Sequence, residues 1–424
     1  MRGIEDLDVA GKRVLVRVDF NVPLEDGVVA DDARIRAALP TIEELRRRGA
    51  RLVLVSHLGR PKGHPDPALS LAPAVDRLRE LIGGAVTLAP EVVGEEARRL
   101  ADSLRDGEVL VLENVRFLPG ETENDPELAR ELAELADLYV NDAFGVAHRA
   151  HASTEGVAHL LPSAAGRLLE KEVGTLTELL EAPARPLVAI IGGAKVRDKI
   201  GVLDRFMEIA DTLLIGGAMC FAFLSASGHE VGDSLCNPED VEHARRLLAP
   251  GPDAPRGEPG AVATNGTSNG VHPVASGAAP RRARLVLPSD LVIADELSAA
   301  AQHRVLDGVD VPDGWLGVDI GPATAARYAE VIAAAGTIFW NGPMGAFELE
   351  PFADGTRRVA EAVAGAAGRT VVGGGDSGAA LRQFGLDGAV DYISTGGGAA
   401  LELLEGRKLP GVQALAGTGA AQAR

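Results

Sequence analysis

Two lysines follow an apolar run and a pair of glycines in the segment AIIGGAKVRDKI, residues 189–200. Lys195 and Lys199 are four positions apart, so on an α-helix they would lie on one face. A helix that began after the glycines would offer unpaired backbone N–H groups, and two ammonium groups beside them would suit an anion. Taken alone, however, a plain strand-to-helix turn with two solvated lysines is the better interpretation of this segment.

Glycine clusters also follow later apolar runs, in TLLIGGAM, TIFWNGPMG, RTVVGGGDS and DYISTGGGA. Glycine lets the backbone approach a phosphate or a base closely and lets its N–H groups point at an anion. Asp376 and Ser377 add oxygen atoms at a predicted helix start, where Asp376 either holds Mg²⁺ together with nucleotide phosphates or simply caps the helix. Because lysines follow a neighbouring strand, a magnesium–nucleotide site is favoured.

A dinucleotide dehydrogenase is an alternative, since GGGDSG at 373–378 matches G-x-G-x-x-G after a predicted strand. That fingerprint needs an acidic residue about 20 positions later, at the end of the next strand. Asp391 instead comes just before or within the next strand, which weakens the alternative. The segment GGAKVRDK lacks the spacing of a P-loop, and the protein-kinase motif set is absent. Binding of ADP or of NADH would separate the two interpretations.

The apolar runs of the first half are followed by cations and polar groups instead of glycine clusters. These candidates are Asp19, Asn21, Arg34, His57, Arg60, Arg116 and Arg149. A guanidinium suits a carboxylate or a phosphate, although each arginine taken singly is more typical of a plain surface residue. Their convergence in a chain of net charge −19 favours one site for a small polyanion. Asp19 and Asn21 would then hydrogen-bond hydroxyl or carboxyl groups of the ligand.

Short runs rich in Val, Ile and Leu alternate with helical segments such as PTIEELRRRGA along the whole chain. This alternation predicts an α/β fold with parallel sheets covered on both faces, in which ligands gather at the carboxyl ends of the strands. Two sets of strand ends with different chemistry in 424 residues predict two doubly wound, Rossmann-like domains joined by a hinge helix. The join is expected near residues 182–186.

The composition excludes several classes of protein. A net charge of 42 − 61 = −19 argues against a general role on nucleic acid or anionic membranes. Cys220 and Cys236 have neither metal-ligand nor disulfide-framework spacing, which suits a reducing cytosol. The start of the chain lacks a signal-peptide pattern, and no apolar run approaches the roughly 20 residues that a membrane span needs. We therefore expect a cytoplasmic protein.

Taken in order, the motifs closely resemble those of the phosphoglycerate kinase family. The segments are RVDFNVP, SHLGRP, ENVRF, NDAFGVAHRAHAST, GGAKVRDKI, WNGPMGAFE, GGGDS and STGGGA. The resemblance covers about residues 3–412, apart from 250–283. It implies reversible phosphoryl transfer between 1,3-bisphosphoglycerate and ADP, giving 3-phosphoglycerate and ATP, with Mg²⁺ and hinge-bending domain closure. Arg197 is bulkier than the small residue expected at its position in the fifth motif.

The resemblance also implies roles for individual residues. Asp19, Asn21, Arg34, His57, Arg60, Arg116 and Arg149 would bind the phosphoglycerate in the N-terminal domain. Lys195, Lys199, Gly317, Asn341, Glu348, Gly374, Gly375, Asp376 and Ser377 would bind the nucleotide in the C-terminal domain, with Asp376 as the Mg²⁺ ligand. For catalysis we assign Lys199 to the transferring phosphoryl group, Lys195 to the nucleotide phosphates, and Arg34 to the same phosphoryl group from the other domain.

The expected domain organisation follows from the same resemblance. The predicted parts are an N-terminal domain at 1–170, a hinge helix at 171–183, a C-terminal domain at 184–392, a segment at 393–412 that returns to the N-terminal domain, and a flexible tail at 413–424. Residues 250–283, which are mostly Pro, Gly, Ala, Ser, Thr and Asn, are expected to form a disordered insertion. We expect a monomer with small-molecule partners only. A non-catalytic nucleotide-binding relative on the same fold is the remaining alternative.

Overall fold

The structure is a computed structural model that describes residues 1–249 and 282–417. Contacts divide the chain into two compact units, one formed by Met1–Leu176 together with the chain from Arg407 onward, and the other by Thr177–Gly406. Residues 250–281, which hold most of the predicted insertion, lie outside the described part. Within the described ranges no helix has the length and apolar character needed to cross a membrane.

Unit 1 is an α/β unit. Its strands are β1 (Arg13–Arg17), β2 (Leu24–Glu25), β3 (Val28–Val29), β4 (Arg51–Val55), β5 (Val86–Leu88), β6 (Val109–Val111), β7 (Leu138–Asn141) and β8 (Ser163–Ala165). Its helices from the first part of the chain are α1 (Ala33–Arg47), α2 (Ala72–Ile82), α3 (Glu95–Ser103), α4 (Pro126–Glu134) and α5 (Arg167–Glu181), and the boundary between the units falls within α5.

A parallel sheet forms the centre of unit 1, with the strand order β5-β6-β4-β1-β7-β8. Successive residues of β1 and β4 point to opposite faces, and Leu15 and Val53 on one face are as fully buried as Val14 and Leu52 on the other. Burial on both faces explains why these strands have continuous apolar sequences. The strand order reverses direction at β1 and β7, where such folds bind ligands.

Unit 2 repeats this architecture and adds a small antiparallel sheet. Its strands are β9 (Leu187–Ile191), β10 (Thr212–Ile215), β11 (Arg284–Val286), β12 (Leu291–Ala294), β13 (His303–Leu306), β14 (Leu316–Ile320), β15 (Thr337–Asn341), β16 (Arg369–Gly373) and β17 (Tyr392–Ile393). Its helices are α6 (Ile200–Ile209), α7 (Cys220–Ala226), α8 (Pro238–Leu248), α9 (Pro322–Ala333), α10 (Asp354–Ala364), α11 (Gly375–Gln383) and α12 (Gly398–Leu404).

The parallel sheet of unit 2 has the order β11-β10-β9-β15-β16-β17, and it reverses direction between β9 and β15. The small sheet has the order β13-β12-β14 with antiparallel pairing. The apolar core of unit 2 includes the fully buried Trp340 on β15 and Tyr328 on α9. Both parallel sheets therefore confirm the predicted α/β class with two doubly wound domains.

The structure differs from the expected organisation at two places. The predicted insertion ends earlier than residue 283, because Arg282 donates to the carbonyl of Leu247 at 2.6 Å and the N–H of Ala283 donates to the carbonyl of Met207 at 2.8 Å. The expected loose tail is wrong for its first residues, which belong to the last helix, α13 (Pro410–Gly417).

Helix α13 belongs to unit 1. Its residues Ala414 and Leu415 are buried, and the N–H of Gly411 donates to the carbonyl of Ala147 at 2.9 Å. Residues 393–406, which include α12, group by their contacts with unit 2, so the return to unit 1 begins at Arg407.

Candidate anion and nucleotide sites

In unit 1 the loop after β1 and the start of α1 form a polar cluster. The Arg34 guanidinium donates to Asp19 Oδ2 at 3.2 Å and to the carbonyl of Asn21 at 3.1 Å. The side-chain oxygen of Asn21 accepts a hydrogen bond from the N–H of Gly59, in the loop after β4, at 2.9 Å. The side chain of Arg34 is still more than a third exposed, so this cation can reach a ligand.

His57 and Arg116 are buried beside this cluster. His57 is 2% exposed, and its Nδ1 lies 3.7 Å from Asp19 Oδ1. Arg116 Nη1 donates to the carbonyl of Gly59 at 2.8 Å. Burial, followed by the nearby guanidinium of Arg17, lowers the pKa of Arg116 to about 10. Burial and the same guanidinium also hold the pKa of His57 well below its ordinary value, so this imidazole is neutral.

Arg60, Arg116 and Arg149 line one pocket of about 330 Å³ in unit 1. Lys62, which we did not single out from the sequence, lies at the same pocket in a left-handed backbone conformation with φ of 59°. A concentration of guanidinium groups with few carboxylates nearby can bind a small polyanion. The structure therefore brings together all the unit 1 residues proposed from the sequence, at the carboxyl edge of the sheet.

In unit 2, Lys199 lies at the point where the sheet reverses direction. Its Nζ donates to the carbonyl of Gly192 after β9 at 2.6 Å and to the carbonyl of Asn341 at the end of β15 at 3.1 Å. Burial lowers the pKa of Lys199 to about 8, although the carboxylates of Asp376 and Asp198 favour its charged form. A part-buried ammonium beside glycine-rich strand ends can balance the charge of a phosphate.

The helical interpretation of the lysine spacing is wrong. Helix α6 begins only at Ile200, and the residues before it form a loop and a short 3-10 turn. The glycine N–H groups are not free for an anion either, because Gly192 donates to the carbonyl of Asn341 at 2.9 Å and Gly193 to that of Pro343 at 3.0 Å. Consequently the two lysines differ: Lys195 is exposed and makes no hydrogen bond with the described residues, whereas Lys199 is anchored.

A cavity of about 300 Å³ opens on the same edge of unit 2. Gly317, Glu348 and Asp376 line it, as the sequence suggested. A Cβ atom on Gly317 would lie 2.0 Å from the ring of Phe221, so only glycine fits at this position in β14. The apolar wall was missed: it consists of Phe221, Leu235, Leu297, Leu316 and Met344. Phe221 lies in α7, Leu316 begins β14 and the other three lie in loops, so no single sequence pattern could have indicated the set.

The remaining predicted nucleotide residues are not in the lining of the cavity and lie at the end of β15 and the start of α11. Ser377 is buried, and its hydroxyl accepts a hydrogen bond from the N–H of Gly342 at 2.6 Å. Asn341 donates to the carbonyl of Gly373 at 2.9 Å. Gly374 has a φ of 90°, which favours glycine, and it precedes α11, whose first residue is Gly375. Asp376 follows in the first turn of α11 with an exposed side chain, so it does not occupy the N-cap position.

The donor set for a metal ion is small. Among residues 1–249 and 282–417, no group of three or more His, Cys, Asp and Glu side chains could hold one. Mg²⁺ is commonly bound by one or two carboxylates together with substrate phosphates, and the exposed Asp376 at the cavity fits that pattern. A nucleotide would therefore have to supply the other ligands.

Asp391 argues against the dinucleotide alternative. It lies immediately before β17, at the amino end of that strand, and its Oδ2 accepts hydrogen bonds from the N–H and hydroxyl of Thr370 at 2.8 and 3.1 Å. Thr370 lies near the start of the parallel strand β16. The carboxylate is therefore at the edge opposite the glycine cluster, where it cannot bind a ribose.

The described chain therefore has two α/β units, one with an arginine-lined pocket whose chemistry suits an anion and one with a glycine-edged cavity beside the part-buried Lys199. The family model described as phosphoglycerate kinase matches residues 4–256 and 260–407. A phosphoglycerate kinase of Roseiflexus castenholzii is 53% identical over 414 residues, which covers 97% of this chain and 98% of that protein. One of Chloroflexus aurantiacus is 54% identical over 418 residues, with 97% and 98% covered.

Solved structures agree. The phosphoglycerate kinase of Coxiella burnetii superimposes with a TM-score of 0.80 at 38% identity, covering 98% of each chain. That of Pyrococcus horikoshii gives a TM-score of 0.80 at 32% identity with the same coverage. The chain belongs to the phosphoglycerate kinase family. The family, the fold and the kinase reaction class inferred from the motifs are thereby confirmed, whereas the roles of individual residues stay predictions.

Proposed function

We propose that this chain catalyses reversible transfer of a phosphoryl group between 1,3-bisphosphoglycerate and ADP, giving 3-phosphoglycerate and ATP, with Mg²⁺. The observation that carries the proposal is the pairing of two complementary sites in one chain of this family. An arginine-lined pocket in unit 1 suits a phosphorylated acid, and the cavity of unit 2 beside Lys199 suits a nucleotide.

The phosphoglycerate would bind at the polar cluster of unit 1. Arg60, Arg116 and Arg149 line one pocket and would bind its phosphate. Asp19 and Asn21 would form hydrogen bonds with its hydroxyl and carboxyl groups. Because Asp19 already holds Arg34 at 3.2 Å, the same carboxylate would aim that guanidinium toward the carboxyl end of the ligand.

The nucleotide would bind in the cavity of unit 2, with its base against the apolar wall and its phosphates toward the glycine-rich edge. Lys199, anchored by two backbone carbonyls, would face the transferring phosphoryl group. Lys195 is exposed, so its side chain can move to bring the ammonium group into contact with the nucleotide phosphates. Asp376 would hold Mg²⁺, which would neutralise part of the phosphate charge when bound.

Phosphoryl transfer requires in-line placement of the reacting groups and positive charge around the transferring oxygens, with little covalent help from protein. Since the two ligands are assigned to different units, we propose that a hinge closure brings them together and excludes water. Arg34 would then act as an arginine finger supplied by the same chain. Lys199 would contribute the second fixed positive charge.

The reaction is tested by mixing the purified protein with Mg-ATP and 3-phosphoglycerate and trapping the acyl phosphate with hydroxylamine. Hydroxamate should form only when both substrates and Mg²⁺ are present. If a folded protein that still binds ADP forms no hydroxamate, the chain is a non-catalytic relative and the proposal is wrong. Binding of NADH in place of ADP would instead support the interpretation of the chain as a dinucleotide dehydrogenase.

We further propose that the protein acts as a cytoplasmic monomer. Every residue assigned to either site comes from this one chain, and both cysteines are free thiols, Cys220 being buried. Sedimentation of the purified protein at assay concentration would test the monomer. Fractionation of cells that produce it would test the compartment.

A further inference from the structure

Arg17, the last residue of β1, is a completely buried cation. Its Nε donates to the hydroxyl of Ser153 at 2.8 Å, its Nη1 donates to the carbonyl of Val18, and its Nη2 lies 3.3 Å from Nδ1 of His57. A buried guanidinium is costly unless its charge and its donors are paired. Its position, with one nitrogen on a histidine of the anion site, therefore requires an explanation.

The charge of Arg17 is balanced through Ser153. The hydroxyl of Ser153 donates to Oε1 of the fully buried Glu121 at 2.7 Å, and its N–H donates to Oε2 of the same carboxylate at 2.9 Å. Arg17, Ser153 and Glu121 thus form a chain of hydrogen bonds that ends in a negative charge. The guanidinium cannot turn away from His57 without breaking this chain.

The contact with Arg17 determines which nitrogen of His57 carries the proton. A guanidinium has only donors, so the Nδ1 atom that faces it has to present its lone pair. The proton of the neutral ring is then on Nε2, which can donate a hydrogen bond. Asp19 Oδ1 would favour the opposite tautomer, but it is 3.7 Å from Nδ1 and already accepts the N–H of Asn21 at 3.2 Å.

The charged groups around His57 also keep the ring neutral. Burial is the main cause that holds its pKa well below the ordinary value, and four cations on β1, α1 and the loops after β6 and β7 lower the pKa further: Arg17, Arg116, Arg34 and Arg149. The carboxylate of Asp19 opposes them, but Arg34 pairs with it at 3.2 Å. Protonation of the ring within the neutral range would add a further positive charge to a buried cationic cluster.

We propose that Arg17 is a positioning residue for the phosphoglycerate site, which holds His57 as the neutral Nε2–H tautomer so that the ring donates a hydrogen bond to an anionic oxygen of the substrate. In the other tautomer the lone pair of Nε2 would face that oxygen and repel it. This inference rests on the proposed function, because only that function places an anionic substrate at the polar cluster of unit 1, beside which His57 lies.

Kinetics test the inference with the variant Arg17→Lys. The lysine keeps the charge, but its single ammonium nitrogen cannot contact Ser153 and His57 together as the guanidinium does. We expect KM for 3-phosphoglycerate to rise roughly ten- to hundredfold, the range of one hydrogen bond to a charged group, with KM for Mg-ATP unchanged. His57→Gln in the Arg17→Lys background should add little further. Arg13→Lys, on the same strand but at the surface, is the matched control and should leave both KM values unchanged.

Spectroscopy tests it on the unmodified protein. In ¹⁵N-labelled wild-type protein, the ¹H–¹⁵N signals of His57, assigned from their loss in His57→Gln, should show a proton on Nε2 and a lone pair on Nδ1 from pH 6 to 8. A proton on Nδ1, or an imidazolium in that range, would overturn the inference even if Arg17→Lys does not fold. Additive effects of the two substitutions on KM would also overturn it. Failure of the wild type to form hydroxamate would instead refute the proposed function.

Discussion

From the lowered pKa of Lys199 we predict how kcat/KM for Mg-ATP changes in alkaline solution. Burial lowers this pKa from 10.5 to about 8, so about half of the free enzyme carries the ammonium at pH 8 and the charged fraction falls roughly tenfold for each further pH unit. If the charged lysine is required at the nucleotide phosphates, kcat/KM for Mg-ATP should fall by roughly tenfold or more between pH 8 and pH 9.5. Bound phosphates would raise the pKa again, so kcat should fall less.

The assay is steady-state hydroxamate or coupled turnover at saturating 3-phosphoglycerate, with kcat/KM for Mg-ATP measured from pH 6.5 to 9.5. The pH dependence of kcat/KM reports the ionisation of the free enzyme, and the second ionisation of a phosphate, near pH 6, is complete before this limb begins. Lys199→Arg should have a lower but flat profile, because a guanidinium stays charged. Lys195→Arg is the matched control, since it leaves Lys199 in place and should keep the alkaline fall.

Two results would refute this reasoning. A wild-type profile that stays flat to pH 9.5, in protein that circular dichroism shows to be folded, would mean that the Lys199 ammonium is not required or does not lose its proton there. An alkaline fall that persists in Lys199→Arg would mean that another group titrates. In that case the two backbone carbonyls that hold Nζ would have a structural role only.

Three further predictions concern other charged residues. Arg34→Ala should lower kcat on the order of 10³-fold, whereas Arg60→Ala should mainly raise KM for 3-phosphoglycerate; steady-state kinetics with near-normal kcat for Arg34→Ala would contradict the finger assignment. Asp376→Asn should raise the Mg²⁺ concentration for half-maximal turnover at least about tenfold, and an unchanged Mg²⁺ titration would exclude this carboxylate as the ligand. Burial raises the pKa of Asp142 to about 7, so the folded state keeps a proton that the unfolded state releases above about pH 4, and this residue should lower the free energy of unfolding by up to about 4 kcal/mol as pH rises from 4 to 7. Denaturant unfolding of Asp142→Asn should lack that decrease relative to wild type, and parallel pH profiles would refute it.

The sequence predicted the fold well because the main signal is local. Alternating apolar runs and helical segments give parallel strands, and the chemistry after each strand indicated two units. The start of α6 could not be predicted in the same way. Gly192 and Gly193 donate hydrogen bonds to the carbonyls of Asn341 and Pro343, which are distant in sequence, and these bonds delay the helix beyond the point where the local pattern suggests that it begins. The buried face of α13 likewise depends on contacts with unit 1.

The sequence predicted the parts of the candidate sites that consist of cations, because cations stand out in an acidic chain. It did not predict the parts that consist of ordinary apolar residues. Cations that recur after successive strands of an acidic chain indicated the anion site. The apolar wall of the nucleotide cavity was missed, since Leu235 and Leu297 lie in loops and are partly exposed, as many surface leucines are. Arg17 had a usable signal: an arginine inside the apolar run RVLVRVDF must be either at a strand edge or paired inside the core.

Cations shielded from water would let a chain of net charge −19 keep the positive sites proposed here for anionic substrates. At the surface, ammonium and guanidinium groups would be screened by salt and paired with the abundant carboxylates. Lys199 is instead held by the carbonyls of Gly192 and Asn341, and Arg116 by the carbonyl of Gly59, which accept some of their hydrogen bonds without neutralising their charge. Each keeps a positive charge that is largely removed from water, and the lowered pKa values of both side chains reflect the free-energy cost of that burial. An anionic ligand would relieve it, so the free energy spent on burying these cations in the empty protein should return as affinity for the phosphates of the substrates.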